Sequence, residues 1–403
     1  MSHTFEIEKT CPRTGARAGF ITTAHGVVPT PAFMPVGSQA TVKALTPDDV
    51  RDVGTKILLS NAYHLYLRPG VDVIEKMGGL HRFMGWDGPI LTDSGGYQIF
   101  SLAALRRVDD QGVVFRSHID GSEHSLTPEG AVHLQQRLGA DIVMALDECP
   151  PYTVEKRRVR EAMDRTHRWA EKCRKVEARQ DQHLFGIVQG GVFGDLRRES
   201  AACLTSLDFP GYAIGGLSLG ETKKETLAMV EETVACLPGD KPRYLMGVGS
   251  PEDLVENVAR GVDLFDSALP TRTARNGALF AAAGRLNIRN AGYKGLDQPI
   301  DAGCDCYTCR RFSVAYLSHL FRSKELLAYR LATIHNLRFI MRLLEGMRQA
   351  IVRGSFDDFQ REFLAKYRTT DEDVRLAQKQ RWLERSVRVR DEGDGPEDSR
   401  VIT

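Results

Sequence analysis

The sequence predicts an α/β protein built as a (β/α)8 TIM barrel, with a metal-binding subdomain inserted near the C-terminal end of the barrel. Three observations predict it. Eight short apolar runs recur along the chain, each ending in polar residues or glycine. Stretches with helical spacing lie between most of them. A cysteine cluster follows the last run.

The runs are FMPVG (33–37), KILLSN (56–61), PILTD (89–93), DIVMALD (141–147), LFGIVQ (184–189), YAIGG (212–216), RYLMGVG (243–249) and VDLFD (262–266). Short continuous apolar runs of this kind read as strands buried on both faces. The helical stretches are TPDDVRDVG, a segment after Gly70, TPEGAVHLQQRLGA, EKRRVREAMDRTHRWAEKCRKVEARQ, LRRESAACLTSL, KKETLAMVEETVACL and SPEDLVENVARG. Several begin with a Thr or Ser cap followed by proline or acids, the usual start of a helix. A doubly wound open sheet would use the same alternation. No glycine-rich phosphate fingerprint follows the first strand to favour it.

Residues 1–30 read as a small β segment before the barrel. Residues 94–128 form the longest insertion, with a hairpin around Asp120–Gly121. A long helix is expected over about 325–352. Residues 1–375 are read as one catalytic domain, including a zinc-binding subdomain at about 285–350. The tail, 376–403, is charged, poor in apolar residues and expected to be disordered. With 42% hydrophobic and 27% charged residues, the chain has enough apolar content for a sizeable core. The formal net charge of +1 excludes a globally basic nucleic-acid binder, so any basic footprint must be local. There is no apolar signal segment and no run long enough to span a membrane, so a cytoplasmic location without membrane contact is expected.

A barrel places its active site at the C-terminal ends of the strands. The residues expected there are Asp93, Asp147, Gln189, Gly215–Gly216, Met246–Gly247 and Asp266. Taken singly, each could be a cap or turn residue. Together on one rim, three carboxylates and an amide favour a site for a polar substrate.

Cys304, Cys306 and Cys309 bring three thiolates within six residues. Zinc in a closed structural site takes four ligands, and three cysteines with one histidine are a common set. His319 and His335 are the candidates for the fourth. His335 is preferred, because an intervening helix at about 311–329 lets the chain return. Free thiols or a disulfide are the bland alternative. Three thiolates and an imidazole leave no open position, so the expected role is structural rather than catalytic. Residues 267–296 carry Arg272, Arg275, Arg285, Arg289 and Lys294 with no acid, and 310–350 carry eight Lys or Arg against two Glu. One reading is a solvated helix face; the other is a basic stripe that presents a polyanion to the mouth.

The motifs TDSGGYQ (92–98), DIVMALDEC (141–149), GIVQGG (186–191), GGLSLGE (215–221), YLMGVG (244–249), FDSALPTRTARNG (265–277) and CDCYTC with His335 resemble those of the tRNA-guanine transglycosylases. The likeness runs from about residue 5 to about 370. This family, the queuine tRNA-ribosyltransferases, consists of zinc-containing barrels that act in queuosine biosynthesis. The resemblance implies a pentosyltransferase that exchanges guanine at the wobble position of tRNAs with GUN anticodons (Asp, Asn, His, Tyr). It implies Asp266 as nucleophile and Asp93 as general acid/base, a double displacement of the retaining-glycosidase kind. The base would be flipped out of its stack. Ser94, Gly95, Gly96, Tyr97, Asp147, Gln189, Gly216, Leu217, Leu219 and Met246 would form its pocket, with Tyr97 stacking on the ring. Gly247, Val248, Gly249, Ser250, Pro251, Glu252, Asp253, Thr271, Arg272, Thr273, Ala274 and Arg275 would face the RNA. ALDEC and Leu219 resemble the bacterial type, which implies the aminomethyl precursor preQ1 as incoming base and a homodimer. A non-catalytic RNA-binding subunit of the same fold lacks the catalytic carboxylates, and both are present here. A zinc-dependent barrel hydrolase needs metal ligands at the strand ends, and the rim has no histidine-rich set.

Overall fold

The computed structural model describes residues 5–102 and 104–369; the expectation for the tail at 376–403 lies outside the described residues. Eight parallel strands form the centre: β1 (Ala32–Pro35), β2 (Leu58–Asn61), β3 (Ile90–Asp93), β4 (Ile142–Met144), β5 (His183–Val188), β6 (Tyr212–Ile214), β7 (Arg243–Leu245) and β8 (Leu264–Ser267). Each falls on one of the eight apolar runs. Their order is β1-β8-β7-β6-β5-β4-β3-β2. The ring closes between β1 and β2, where Val36 bridges Leu59 and the Gly37 amide donates to Leu59 O at 2.6 Å.

Alternate residues of each strand separate into two apolar clusters. Met34, Leu59, Leu91, Met144, Ile187, Ala213, Tyr244 and Leu264 fill the barrel. Phe33, Leu58, Ile90, Val143, Val188, Ile214, Leu245 and Phe265 face outward against the helices. The two-residue period of a strand makes this division. It also aims the site. Asp93 follows inward Leu91 by two residues, Gln189 follows Ile187, Met246 follows Tyr244, and Asp266 follows Leu264. All four therefore face the lumen at the C-terminal rim.

The opposite end is plugged by an antiparallel sheet of Phe5–Thr10, Arg17–Thr23 and Gly26–Thr30, whose Phe5, Ile21 and Val28 join the inner cluster. Arg17 anchors this sheet through a buried ion pair, Nε to Asp263 Oδ1 at 2.9 Å, just before β8. All seven helical stretches read from the sequence are present, the longest as Lys156–Lys175. Shorter helices at Ala62–Leu67, Leu80–Met84, Gly96–Leu102 and Leu269–Arg275 escaped the periodicity argument, since two turns carry too little pattern. The insertion hairpin, Gly112–Arg116 paired with Glu123–Leu126, has a third strand, Ala104–Asp109.

After β8 come a hairpin (Ala278–Ala281 with Gly284–Asn287), two helices (Tyr307–Arg311 and Val314–Arg322) and the long helix Leu326–Arg353. They share a core of Ala274, Leu279, Ile288, Leu317 and Leu331. No helix among the described residues is long and apolar enough to cross a membrane.

Candidate active site and metal centre

Asp93 and Asp266 stand at the ends of β3 and β8 on the same mouth. Asp93 is buried and accepts three hydrogen bonds: from the Ala62 amide on Oδ1 (2.9 Å), and from Asn61 Nδ2 (2.5 Å) and Gln98 Nε2 (2.8 Å) on Oδ2. Burial pushes its pKa up to about 6 against the pull of those donors, and the Asp266 charge adds to the rise. Asp266 accepts the Tyr244 hydroxyl (2.6 Å) and the Gly247 amide (2.8 Å), both on Oδ1. Its Oδ2 has no hydrogen-bond partner among the described residues. Burial raises the Asp266 pKa too. One carboxyl is thus boxed in by donors, and the other keeps an oxygen without a partner among the described residues.

Beside them lies a second buried pair. Asp147 Oδ2 accepts Gln189 Nε2 at 2.7 Å, and Oδ1 accepts the Ser94 hydroxyl at 3.3 Å. Burial, assisted by the Asp93 charge, pushes the Asp147 pKa up to about 6. Gln189 Oε1 is buried and unpartnered, a group that a ligand's N–H or a water would satisfy. It sits so near Gly216 that a Cβ there would come within 2.3 Å, and Gly216 has φ +67°. A Cβ on Gly96 would come within 2.6 Å of Asp147 O. Both positions need glycine for close approach. Tyr97, on the first turn of Gly96–Leu102, is 42% exposed, as a stacking platform must be. Leu217 is buried, and Met246 packs at the top of the inner cluster.

Four supporting residues escaped the sequence reading. Tyr244 looked like one more apolar strand residue. Arg197 is fully buried and donates to the carbonyls of Gly191 (2.8 Å), Val188 (3.1 Å) and Gly215 (2.8 Å), tying the ends of β5 and β6 together. Glu221 is buried and accepts from the amides of Ser218, Leu219 (2.9 Å) and Gly220 (3.1 Å) and from the Thr226 hydroxyl (2.7 Å). It fixes a loop in which Ser218 takes φ +62°. Asn61 carried a usable signal, because it ends β2 as Asp93 ends β3.

The expected RNA face is mixed. Gly247 is exposed at the mouth, whereas Val248, Gly249 and Pro251 are buried. Ser250 caps the helix Pro251–Ala259 and Asp253 pairs with Lys223 at 2.9 Å, so both have local duties. Burial raises the Glu252 pKa. Thr271, Thr273 and Ala274 are buried, and they present Arg272 and Arg275 half-exposed between them. The stretch 310–350 is not a free basic stripe. Arg330 pairs with Asp49, Arg338 with Asp305 and Glu345, Arg342 with Asp305, and Arg348 with Glu8. The Arg330–Asp49 and Arg348–Glu8 pairs fasten the region to the first barrel helix and the N-terminal sheet, and the Arg338 and Arg342 pairs brace it internally.

Cys304, Cys306, Cys309 and His335 converge, with ligand atoms within 4.8 Å of one another. His335 Nδ1 lies 3.7, 3.7 and 3.3 Å from the three sulfurs. Zn–S and Zn–N bond lengths imply an S···N edge of about 3.6 Å in a tetrahedral site, so the set fits zinc. His335 Nε2 donates to Phe280 O at 2.6 Å, which leaves Nδ1 as the ligand atom. His319 is exposed and outside the cluster. Next to His335, Asn336 donates to Pro270 O and Ala278 O, both at 3.0 Å, and accepts the Phe280 amide at 3.0 Å. Metal cluster and Asn336 together hold the segment that carries Arg272 and Arg275.

A family model described as queuine tRNA-ribosyltransferase matches residues 11–369. The chain is 58% identical over 383 residues to the queuine tRNA-ribosyltransferase of Dehalococcoides mccartyi strain 195, covering 95% of this chain and 98% of that protein. It is 58% identical over 362 residues to that of Herpetosiphon aurantiacus (90% and 92%) and 56% identical over 367 residues to that of Pelotomaculum thermopropionicum (91% and 99%).

Proposed function

The chain belongs to the queuine tRNA-ribosyltransferase family, and on that premise we propose that its two rim carboxylates exchange guanine at the wobble position of GUN-anticodon tRNAs for preQ1. The observation that carries this reading is the unequal pair. Asp266 has both its donors on Oδ1 and none on Oδ2 among the described residues, while Asp93 is buried with its pKa pushed up to about 6. A nucleophile needs a free oxygen. An acid/base needs a pKa near the working pH.

Asp266 Oδ2 attacks ribose C1′ of the flipped nucleotide as the bond from C1′ to guanine breaks. Asp93 donates its proton to the departing base. Asp93, now ionised, takes a proton from the incoming base, whose ring nitrogen attacks C1′ and releases Asp266. Two displacements preserve the configuration of the sugar. Asp147 accepts N–H groups of the base edge, and Gln189 pairs with the remaining polar edge. Tyr97 stacks on the ring. Leu219 narrows the far side, which suits a small aminomethyl group. Arg272 and Arg275 hold the anticodon-loop backbone.

Zinc is the metal that suits the cysteine–histidine cluster, and it would fix structure only, since Cys304, Cys306, Cys309 and His335 fill a tetrahedron. The exposed rings of Tyr307 and Tyr316, with Phe312 stacked on Tyr316 at 5.3 Å, form an aromatic patch. Such a patch suits a homodimer contact. A metal-dependent hydrolase is disfavoured by position. Among the described residues the other metal-competent group is His25, His81 and Asp141, at the opposite end of the barrel.

The test is incubation with GUN-anticodon tRNA and radiolabelled guanine. Wild-type protein incorporates label, and Asp266→Asn incorporates none while still binding tRNA. Absence of label with wild type overturns the reading; normal turnover by the variant overturns the nucleophile.

A further inference from the structure

Around the mouth from Arg272 and Arg275, a second group of basic side chains comes together from parts of the chain far apart in sequence. His118, at the tip of the insertion hairpin, is exposed, and its Nδ1 meets the Tyr63 hydroxyl at 2.7 Å. Its ring stacks on Tyr63 (5.5 Å, 21°) and lies edge-on to His64 (6.0 Å, 89°). Tyr63 and His64 open the short helix that follows β2, next to Asn61 and Ala62, which hold Asp93. A Cβ on Gly95 would come within 3.1 Å of Tyr63 Cβ. The cluster therefore borders the reactive carboxylates.

Its electrostatics are one-sided. Burial first, and then neighbouring basic groups, lower the pKa of His118 (Arg68) and of His64 (His118 and Lys43), while Arg275 acts on Lys43 and Arg272 on Arg275, so the arginines and the lysine carry the charge and His118 offers a neutral ring N–H. Arg275 Nη1 is buried without a partner. The nearby acid Asp120 is engaged by the amide and hydroxyl of Ser122 (3.2 and 2.7 Å). Like charges gathered at a rim raise the free energy of the empty protein and are relieved by an anion. A phosphodiester backbone has the matching charge.

We propose that Arg68 and His118 form a second phosphate-binding patch, which continues the Arg272–Arg275 face around the mouth and grips the RNA backbone beside the flipped nucleotide. This rests on the transglycosylase reading given above. The insertion hairpin thereby gains a function: it delivers His118 to the rim, and Tyr63 orients the imidazole.

The experiment measures tRNA affinity against salt for wild type, the double variant Arg68→Ala/His118→Ala, and Arg68→Lys. The double variant binds about 10-fold more weakly at low salt, its log–log salt slope is smaller by about 1, and the loss falls on KM for tRNA rather than on kcat. Arg68→Lys keeps most of the affinity. An unchanged melting temperature shows that the fold is intact. Wild-type affinity and slope in the double variant, with wild type exchanging guanine normally, overturn the patch alone. If wild type neither binds tRNA nor exchanges guanine, the functional reading falls and takes the patch with it.

Discussion

Tyr244 donates to Asp266 Oδ1 at 2.6 Å and so occupies one of the two carboxylate oxygens. The Gly247 amide reaches the same oxygen at 2.8 Å, so in the proposed mechanism Oδ2 is the one left to attack. Tyr244→Phe keeps the ring that fills the barrel and removes only this donor. A hydrogen bond to a charged group is worth about 1.5–3 kcal/mol. If that is felt in the transition state, kcat falls about 10- to 100-fold with little change in KM for tRNA. Steady-state exchange with labelled guanine checks this; a variant with wild-type kcat removes Tyr244 from the mechanism.

Asp147 gives a prediction about stability. Burial raises its folded pKa to about 6 from the ordinary 3.8. The fold therefore favours the neutral acid. That contribution is full below the unfolded pKa and is lost as pH rises through about 6. Asn cannot ionise, so Asp147→Asn should be more stable than wild type at pH 8, by at most roughly 3 kcal/mol. The difference should close toward pH 4. Urea unfolding at the two pH values measures it, and a wild type that is more stable at pH 8 would contradict the desolvation argument. The same substitution should weaken base binding, so stability and function move in opposite directions.

The parts of this design that were legible in the sequence are those that depend on neighbours along the chain. Strand period two and the C-terminal rim rule together place Asp93, Gln189 and Asp266, because each extends an apolar run. The thiol cluster is local as well. What was hidden acts across the fold. Arg197 reads as one more arginine on a polar helix and is in fact buried on three carbonyls. Arg330 and Arg348 read as a basic stripe, but their partners Asp49 and Glu8 lie some three hundred residues earlier. Glu221 lies inside a recognisable motif, and its task became visible only once three amides turned toward it.

His335 and Asn336 separate two ways of loosening the RNA face. His335→Ala removes a metal ligand and should lose zinc, measured by metal content after dialysis. Asn336→Ala leaves the ligands in place and should retain zinc. It deprives Pro270 O, Ala278 O and the Phe280 amide of a buried partner. Each such group costs about 1–3 kcal/mol when left unsatisfied, so a loss of at least about 2 kcal/mol is expected. Both variants should bind tRNA more weakly, since both free the segment that carries Arg272 and Arg275. His319→Ala should change neither zinc content nor affinity. Zinc loss from His319→Ala, or full retention in His335→Ala, would overturn the ligand assignment.

Leu219 and Glu221 divide pocket width from pocket shape. The Leu219 amide donates to Glu221 at 2.9 Å, and this bond belongs to the backbone. Leu219→Gly therefore removes the side chain and leaves the loop fastened. A bulkier 7-substituted base should then be accepted, with discrimination against it falling by at least about 10-fold, the scale of a few methylenes in an apolar pocket. Glu221→Gln weakens the anchor for three amides at once. Ser218, at φ +62°, is free to leave its left-handed conformation when that anchor loosens. The loop should then sample other shapes, and KM should rise for small and bulky bases alike. Exchange kinetics with both bases tell the two effects apart. If Leu219→Gly still excludes the bulky base while Glu221→Gln admits it, loop shape and not side-chain width sets the selectivity.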